Sequence, residues 1–255
     1  MNSDEQGELG PKRPTYRDKR RQETIRAIMD GAKKRLEETS SLALSLRSVA
    51  DVLGMAPSAI YRYFPSREAL ITALCIDSYN ELADYLEESL QVTEADTNTI
   101  KSAPNLIAAQ WKTLCRSYRS WGMEHPGEFA LLFGPSQLDE VTDIDATVTA
   151  ARRFGDLGLQ LFIKGLETGV IVPPQDTTKY FATLKPTFAN SILSVTQKEP
   201  TDFPIGLLLS GWVNIHGVIC LEIFGFLATM ITDTKTFFED HLDRTMLWMG
   251  FKQEI

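Results

Sequence analysis

The stretch SLRSVADVLGMAPSAIYRYF, Ser45 to Phe64, decides how the rest of the chain is read. Leu46, Val49, Ala50 and Leu53 recur at i, i+3, i+4 and i+7, which predicts a short helix with one apolar face, and Ser45 stands where an N-cap is needed. Gly54 predicts the stop, because a residue without Cβ turns left-handed at little cost. Pro57 fits the first turn of a second helix, where its missing N–H is not needed, and Ile60 and Phe64 give that helix its buried contacts. Left facing outward are Arg47, Ser48, Pro57, Ser58, Tyr61, Arg62 and Tyr63. Hydroxyls, guanidinium groups and phenols on a short projecting helix suit phosphates and base edges, so the shape is read as a helix-turn-helix. The competing reading is a helical hairpin whose polar residues are incidental.

The runs Leu46-Arg47-Ser48-Val49-Ala50, Gly54-Met55-Ala56-Pro57-Ser58-Ala59-Ile60-Tyr61-Arg62-Tyr63-Phe64 and Arg67-Glu68-Ala69-Leu70 together resemble the DNA-binding domain of the TetR family of bacterial transcription regulators, from about Gln22 to Ser78. The resemblance implies two reading heads, each recognition helix entering the major groove of one half of a near-palindrome. On matching positions it assigns base contacts to Arg47, Pro57 and Ser58, and phosphate contacts to Tyr61, Tyr63 and Arg67; Ser48 and Arg62 complete the candidate set. Residue chemistry agrees in part. Arg47 can donate bidentately to guanine, Pro57 and Ala59 can offer only apolar contact to a thymine methyl, and tyrosine hydroxyls carry position more than sequence.

The formal net charge is −8, but it is unevenly spread. Residues 1–70 hold 13 Lys/Arg against 10 Asp/Glu, and residues 71–255 hold 13 against 24, so the basic end is the DNA end and the acidic remainder is repelled by phosphate. A hydrophobic fraction of 43% is ample for a core. Cys75, Cys115 and Cys220 are odd in number and far apart, which indicates neither a disulfide framework nor a metal site and suits a reducing cytoplasm. The polar N-terminus carries no visible signal peptide.

In chain order, residues 1–20 read as a flexible basic arm containing Lys12, Arg13, Arg17, Lys19 and Arg20, either lying along phosphates or a minor groove, or a disordered solubilising tail. The helix-turn-helix domain spans 21–70, with a first helix from about Arg20 to Glu38. Ser66 caps a long fourth helix, 67–90, that joins the reader to a domain over 91–255. Residues 91–103 read as a polar linker; helices follow over about 107–121, Glu128–Phe133, Ala146–Gly169 and Thr177–Val195, the last kinked by Pro186. Asp139, Glu140, Asp143 and Asp145 read as a solvated acidic loop.

The longest apolar run is Phe203 to Thr232. Its length permits a membrane span, but Asn214, His216 and Glu222 stand near its middle, and a carboxylate there costs about 2.5 to 3.5 kcal/mol on insertion scales. A helix apolar all round fits better between its own core and a second subunit. The predicted homodimer face is therefore formed by the helices over about 205–231 and 236–250, the latter starting with a capping box from Thr236 to Glu239. Trp212-Val213-Asn214-Ile215-His216-Gly217 also resembles the Trp-His-Gly signature of one class of TetR-type C-terminal domain, over about Pro104 to Gly250.

The expected fold is all-α: an N-terminal three-helix reader, a long connecting helix and a C-terminal helical ligand-binding and dimerisation bundle. Inward aromatics of that bundle, Trp111, Phe129, Phe133, Phe154, Phe181, Phe188 and Trp212, with Tyr118 and His216 as polar contacts, are the candidate lining of a small-molecule pocket. Residue by residue the simpler reading is that these aromatics fill a core, and the pocket reading rests on analogy with TetR-type proteins; His216 is more simply a core histidine bonded across helices. No Ser-His-Asp set, glycine-rich phosphate loop or metal-ligand spacing is present, so an enzyme, a cofactor and a metal are not expected. The function expected is a DNA-binding repressor released from a palindromic operator by a small hydrophobic or aromatic effector. The alternative is an architectural or adaptor protein with no effector.

Overall fold

The structure, a computed structural model, describes residues 15–38, 43–95, 103–134, 140–174, 192–193 and 204–252. Among these the chain is helical: α1 Tyr16–Glu38, α2 Leu46–Leu53, α3 Pro57–Ile60, α4 Arg67–Ala95, α5 Ala103–Glu124, α6 Pro126–Phe133, α7 Ile144–Glu167, α8 Ile205–Ile223 and α9 Thr234–Trp248. A 3₁₀ turn at Leu227–Thr229 and one isolated antiparallel bridge, Ile171 to Phe251, complete the named elements. The expected helix with Pro186 and the loop after it lie outside the described residues apart from 192–193, as do Phe181, Phe188 and residues 1–14.

Helix α4 is the axis of the molecule. Leu70, Ile71, Leu74, Leu82 and Leu86 on it are fully buried, and it packs along both α5 and α7 while starting directly behind the reader. Trp121, Phe129, Phe162 and Phe238 close the bundle core, each stabilising it by about 1.5 to 3 kcal/mol on burial. The N-terminus of α6 abuts the end of α1: a Cβ on Gly127 would stand 2.7 Å from the Leu36 carbonyl, so only glycine lets the two helices approach this closely.

Several boundaries differ from those read in the sequence. Helix α1 begins at Tyr16 because Thr15 and Asp18 cap each other, the Thr15 N–H donating to Asp18 Oδ2 at 2.9 Å and the Asp18 N–H to Thr15 Oγ1 at 3.2 Å. Arg17, Lys19 and Arg20 therefore lie on a helix and not in a flexible arm. Helix α4 runs on to Ala95 through the start of the expected linker, because Thr93 and Glu94 find partners in α5: the Thr93 and Thr113 hydroxyls are 3.0 Å apart, and Gln110 Nε2 donates to Glu94 Oε1 at 2.7 Å.

The long apolar helix expected to 231 stops at Ile223, where Gly225 adopts φ 79°. Helix α9 is capped by Asp233, whose carboxylate accepts from the Thr236 N–H at 2.9 Å and the Thr236 hydroxyl at 2.7 Å; the Thr236–Glu239 box is not formed, because Glu239 is bound by Arg116. The acidic loop is also more than solvated charge. Asp143 caps α7 and Glu140 pairs with Arg67 at 3.0 Å.

By length and composition alone, α8 could cross a membrane, the one such helix among the described residues. Its Glu222, however, is buried against Arg119, and Ile215, Val218 and Ile219 are packed in the bundle. All three cysteines are free and lie on helices, two of them buried.

Candidate functional site

The reader is built as the sequence indicates. Ser45, extended at φ −136° and ψ 151°, accepts from the Ser48 N–H at 3.0 Å, and the Ser48 hydroxyl accepts from the Ser45 N–H at 3.1 Å while donating to the Ser45 carbonyl at 2.8 Å. This reciprocal box occupies Ser48, which is half-buried and serves the helix start before it serves DNA. Gly54 sits at φ 62°, ψ 27°, and the Met55 N–H returns to the Ala50 carbonyl at 2.9 Å, closing α2. Helix α3 is a single turn from Pro57 to Ile60 that continues through tighter bonds to Phe64.

Arg47, Pro57, Ser58, Tyr61 and Arg62 are exposed on this short helix and its approach, and Arg47 and Arg62 have no ion-pair partner among the described residues. Tyr63 is half-buried under the Arg21 guanidinium, 5.3 Å from its ring centre. Arg67, expected at phosphate, has partners within the chain. Its Nε donates to the Leu44 carbonyl at 2.6 Å and its Nη1 pairs with Glu140, so it ties the start of α4 to the loop before α2.

A polar junction missed in the sequence joins the reader to the bundle. Lys33 of α1 places Nζ 2.8 Å from Asp77 and 2.5 Å from Glu81, both on α4, and 3.3 Å from Glu128 on α6. The Ser78 hydroxyl donates to the same Glu128 carboxylate at 2.8 Å, and His125 Nδ1 lies 3.3 Å from its other oxygen. Burial by itself would lower the Lys33 ammonium, but the hydrogen bonds it donates to Asp77 and Glu81 and the Glu128 charge raise it above its ordinary value. Burial pushes the Glu81 carboxyl up in spite of Lys33.

The second site is a cavity of about 470 Å³ lined by α5, α7 and α8 with Ile192. Of the candidate lining residues, the structure brings Trp111, Tyr118, Phe154 and Trp212 to its wall. The wall also carries Leu114 and Cys115, Ile205, Leu208 and Ile215, and two glycines of α7, Gly155 and Gly158. Neither glycine was singled out in the sequence. Both sit inside a helix, where glycine costs about 1 kcal/mol relative to alanine, and that anomaly was the available signal. A Cβ on Gly155 would meet no atom within 4 Å.

Phe129, Phe133 and His216 are not on that wall; they form an aromatic cluster behind it. Phe133 lies 4.9 Å from both the Phe129 and His216 rings, and Trp212 stacks on His216 at 4.6 Å. The imidazole is held across helices by the Tyr118 hydroxyl, 2.8 Å from Nδ1, and within α8 by Cys220 Sγ, 3.2 Å from Nε2, and burial lowers its pKa. Both of its ring nitrogens have partners, and the side chain is half-buried.

A reader fixed to the head of one long helix, with a cavity-bearing helical bundle packed along that helix, defines a two-domain helix-turn-helix regulator. Sequence comparison agrees over both domains. A family profile described as bacterial regulatory proteins, tetR family, matches residues 28–74, and one described as tetracyclin repressor-like, C-terminal domain, matches residues 111–245. The HTH-type transcriptional regulators Mb1846 of Mycobacterium bovis and Rv1816 of Mycobacterium tuberculosis are each 30% identical over 218 residues, covering 83% of this chain and 86% of theirs.

Among solved structures, the regulatory protein SCO4313 aligns with a TM-score of 0.62 at 24% identity, covering 91% of this chain and 99% of its own. The TetR family regulator PfmR from Thermus thermophilus aligns at 0.53 with 14% identity, over 89% and 99% of the two chains. The chain belongs to the TetR family of DNA-binding transcriptional regulators.

Proposed function

We propose that this protein is a cytoplasmic repressor, acting as a homodimer, that leaves a palindromic operator when a small hydrophobic or aromatic effector occupies the cavity. The observation that carries the reading is the shared helix: α4 packs along α5 and α7, two of the three helices that wall the cavity, and its first turn begins immediately after the recognition helix. Two heads must meet grooves about 34 to 36 Å apart, so a small tilt of α4 is enough to lose register. An effector shifts that equilibrium only by its differential affinity for the two spacings.

The dimer face we assign to α8 and α9. Val213, Leu221, Leu247 and Trp248 are large apolar side chains exposed on these helices in the single chain, which suits a second copy. Base contacts are assigned to Arg47, Pro57 and Ser58, and backbone contacts to Tyr61, Arg62 and Tyr63.

Footprinting on DNA flanking the protein's own gene tests the reading: a discrete palindrome is expected for a regulator, and diffuse protection would favour the architectural alternative. On that operator Arg47→Ala is expected to lose about 1 to 3 kcal/mol of discrimination at one base pair, with little change on random DNA. Equal losses on operator and random DNA in a titration over several salt concentrations would remove Arg47 from the base-reading set.

A further inference from the structure

We infer that Arg17 and Arg21, in the first two turns of α1, clamp DNA phosphates beside the recognition helix, with the Tyr63 ring as the platform that positions Arg21. This rests on the proposal that α3 enters the major groove. Ile28 and Ala32 are fully buried and Ile25 is half-buried where α1 packs on α2, so this stripe of α1 faces the reader. Stepping back along it by three or four residues from Ala32 gives Ile28, Ile25, Arg21 and then Arg17, all on one face. The apolar contacts end at Ile25, and the same face goes on as two guanidinium groups about 6 Å apart along the axis. Where it leads is shown by Arg21, whose guanidinium lies 5.3 Å from the centre of the Tyr63 ring. Tyr63 follows directly on the exposed Tyr61 and Arg62 at the end of the recognition turn, so the overhang ends beside the DNA-facing side of the reader.

Charge separates this face from an ordinary solvated one. The chain is acidic overall, and its bundle arginines are taken up by carboxylates: Arg116 by Glu239, Arg119 by Glu222, Arg153 by Asp84 and Glu87, Arg244 by Asp240. Arg17 and Arg21 are exposed, and neither side chain has an ion-pair or hydrogen-bond partner among the described residues, a state they share with Arg47 and Arg62 of the reader. Lys19 and Arg26 lie about half a turn away, on the side of α1 turned from the reader, and are left to solvent. A guanidinium meets a phosphate through two parallel N–H donors, so free arginines next to a DNA-reading helix suit its backbone. The reciprocal cap between Thr15 and Asp18 fixes the start of α1, and the Tyr63 ring limits the freedom of Arg21, so less ordering remains to be done on binding.

The test titrates the full chain on the operator duplex recovered by footprinting and on a random duplex of equal length, each at several salt concentrations. A phosphate contact contributes about 0.9 to the slope of log affinity against log salt, so Arg17→Gln with Arg21→Gln, two contacts per subunit, is expected to flatten the slope of a dimer by about 3 to 4. Glutamine keeps the helix propensity, and both duplexes should weaken by the same factor, because phosphate contacts carry no sequence. Lys164→Gln removes one charge from an exposed position of α7 and is expected to leave the slope unchanged. Tyr63→Ala should cost less in the Arg21→Gln background than in the native chain, since the platform has then lost what it holds. Ethylation interference places the contact: in each half-site some phosphates should matter to the native protein and no longer to the double variant. An unchanged slope, or a loss confined to the operator, would overturn the inference and leave the reader as assigned, and strict additivity of Tyr63→Ala with Arg21→Gln would remove the platform. A native protein that binds neither duplex would overturn both readings.

Discussion

Lys33→Met is expected to destabilise the protein by about 3 kcal/mol at neutral pH, the low end of the range for removing one partner of a buried ion pair. Its side chain is only 14% exposed and is the cation on which Asp77, Glu81 and Glu128 converge. Asp77 and Glu81 are about half exposed and recover solvation when Lys33 is lost, so the cost falls mainly on Glu128, whose side chain is 8% exposed. Without the ammonium that carboxylate is left buried with only the Ser78 hydroxyl and His125 beside it. Denaturant unfolding checks this, and Glu128→Gln added to Lys33→Met should restore part of the stability. A deficit unrelieved by the second substitution would show that the junction acts by packing and not by charge.

That junction also marks the limit of what the sequence reveals. The helix-turn-helix is legible because its signals are local: Ser45 and Ser48 three residues apart, Gly54 at the stop, Pro57 at the next start. Lys33 and Glu128 are 95 positions apart, Arg119 and Glu222 are 103 apart, and no periodicity connects a charge on one helix with its partner on another. The same reasoning explains Arg67, which the family pattern assigns to phosphate and the fold ties to Leu44 and Glu140. Helical spacing was informative about Trp111, Tyr118 and Phe129, which are buried, but not about Trp212, which is 41% exposed. It could not say whether the inward space is filled, which is why Trp111, Phe154 and Trp212 reach the cavity while Phe129 and Phe133 pack around His216. Gly155 and Gly158 leave two positions of the cavity wall without side chains, a property of α7 that hydrophobic periodicity does not register.

Arg119→Met is expected to be the more damaging of the two charge deletions, at about 3 to 5 kcal/mol, because the carboxylate it abandons is buried more completely. The Glu222 side chain is 3% exposed and receives two bonds from the guanidinium, Nε to Oε2 at 2.7 Å and Nη2 to Oε1 at 2.5 Å. Burial would raise this carboxyl, but the Arg119 and Thr234 hydrogen bonds override it and hold it below its ordinary value. A depressed folded-state pKa contributes stability above the unfolded carboxyl pKa and loses it as pH falls through the folded value, so the native protein should weaken in acid through this pair. The variant should show the opposite slope, since an unpaired buried Glu222 gains from protonation. Replacing both residues, Arg119→Met with Glu222→Leu, should recover most of the loss, because no charge is then left without a partner. The pair also sets geometry: Glu222 lies in the last turn of α8, Thr234 opens α9, and the guanidinium sits 5.2 Å from the centre of the Phe238 ring. The exposed Leu221 and Leu247 belong to the same two helices, so loosening their join should weaken self-association as well as folding. Sedimentation at matched folded fraction separates the two effects: a shift from dimer towards monomer in Arg119→Met, reversed in the double variant, ties the dimer face to α8 and α9, and an unchanged dimer would place that face elsewhere.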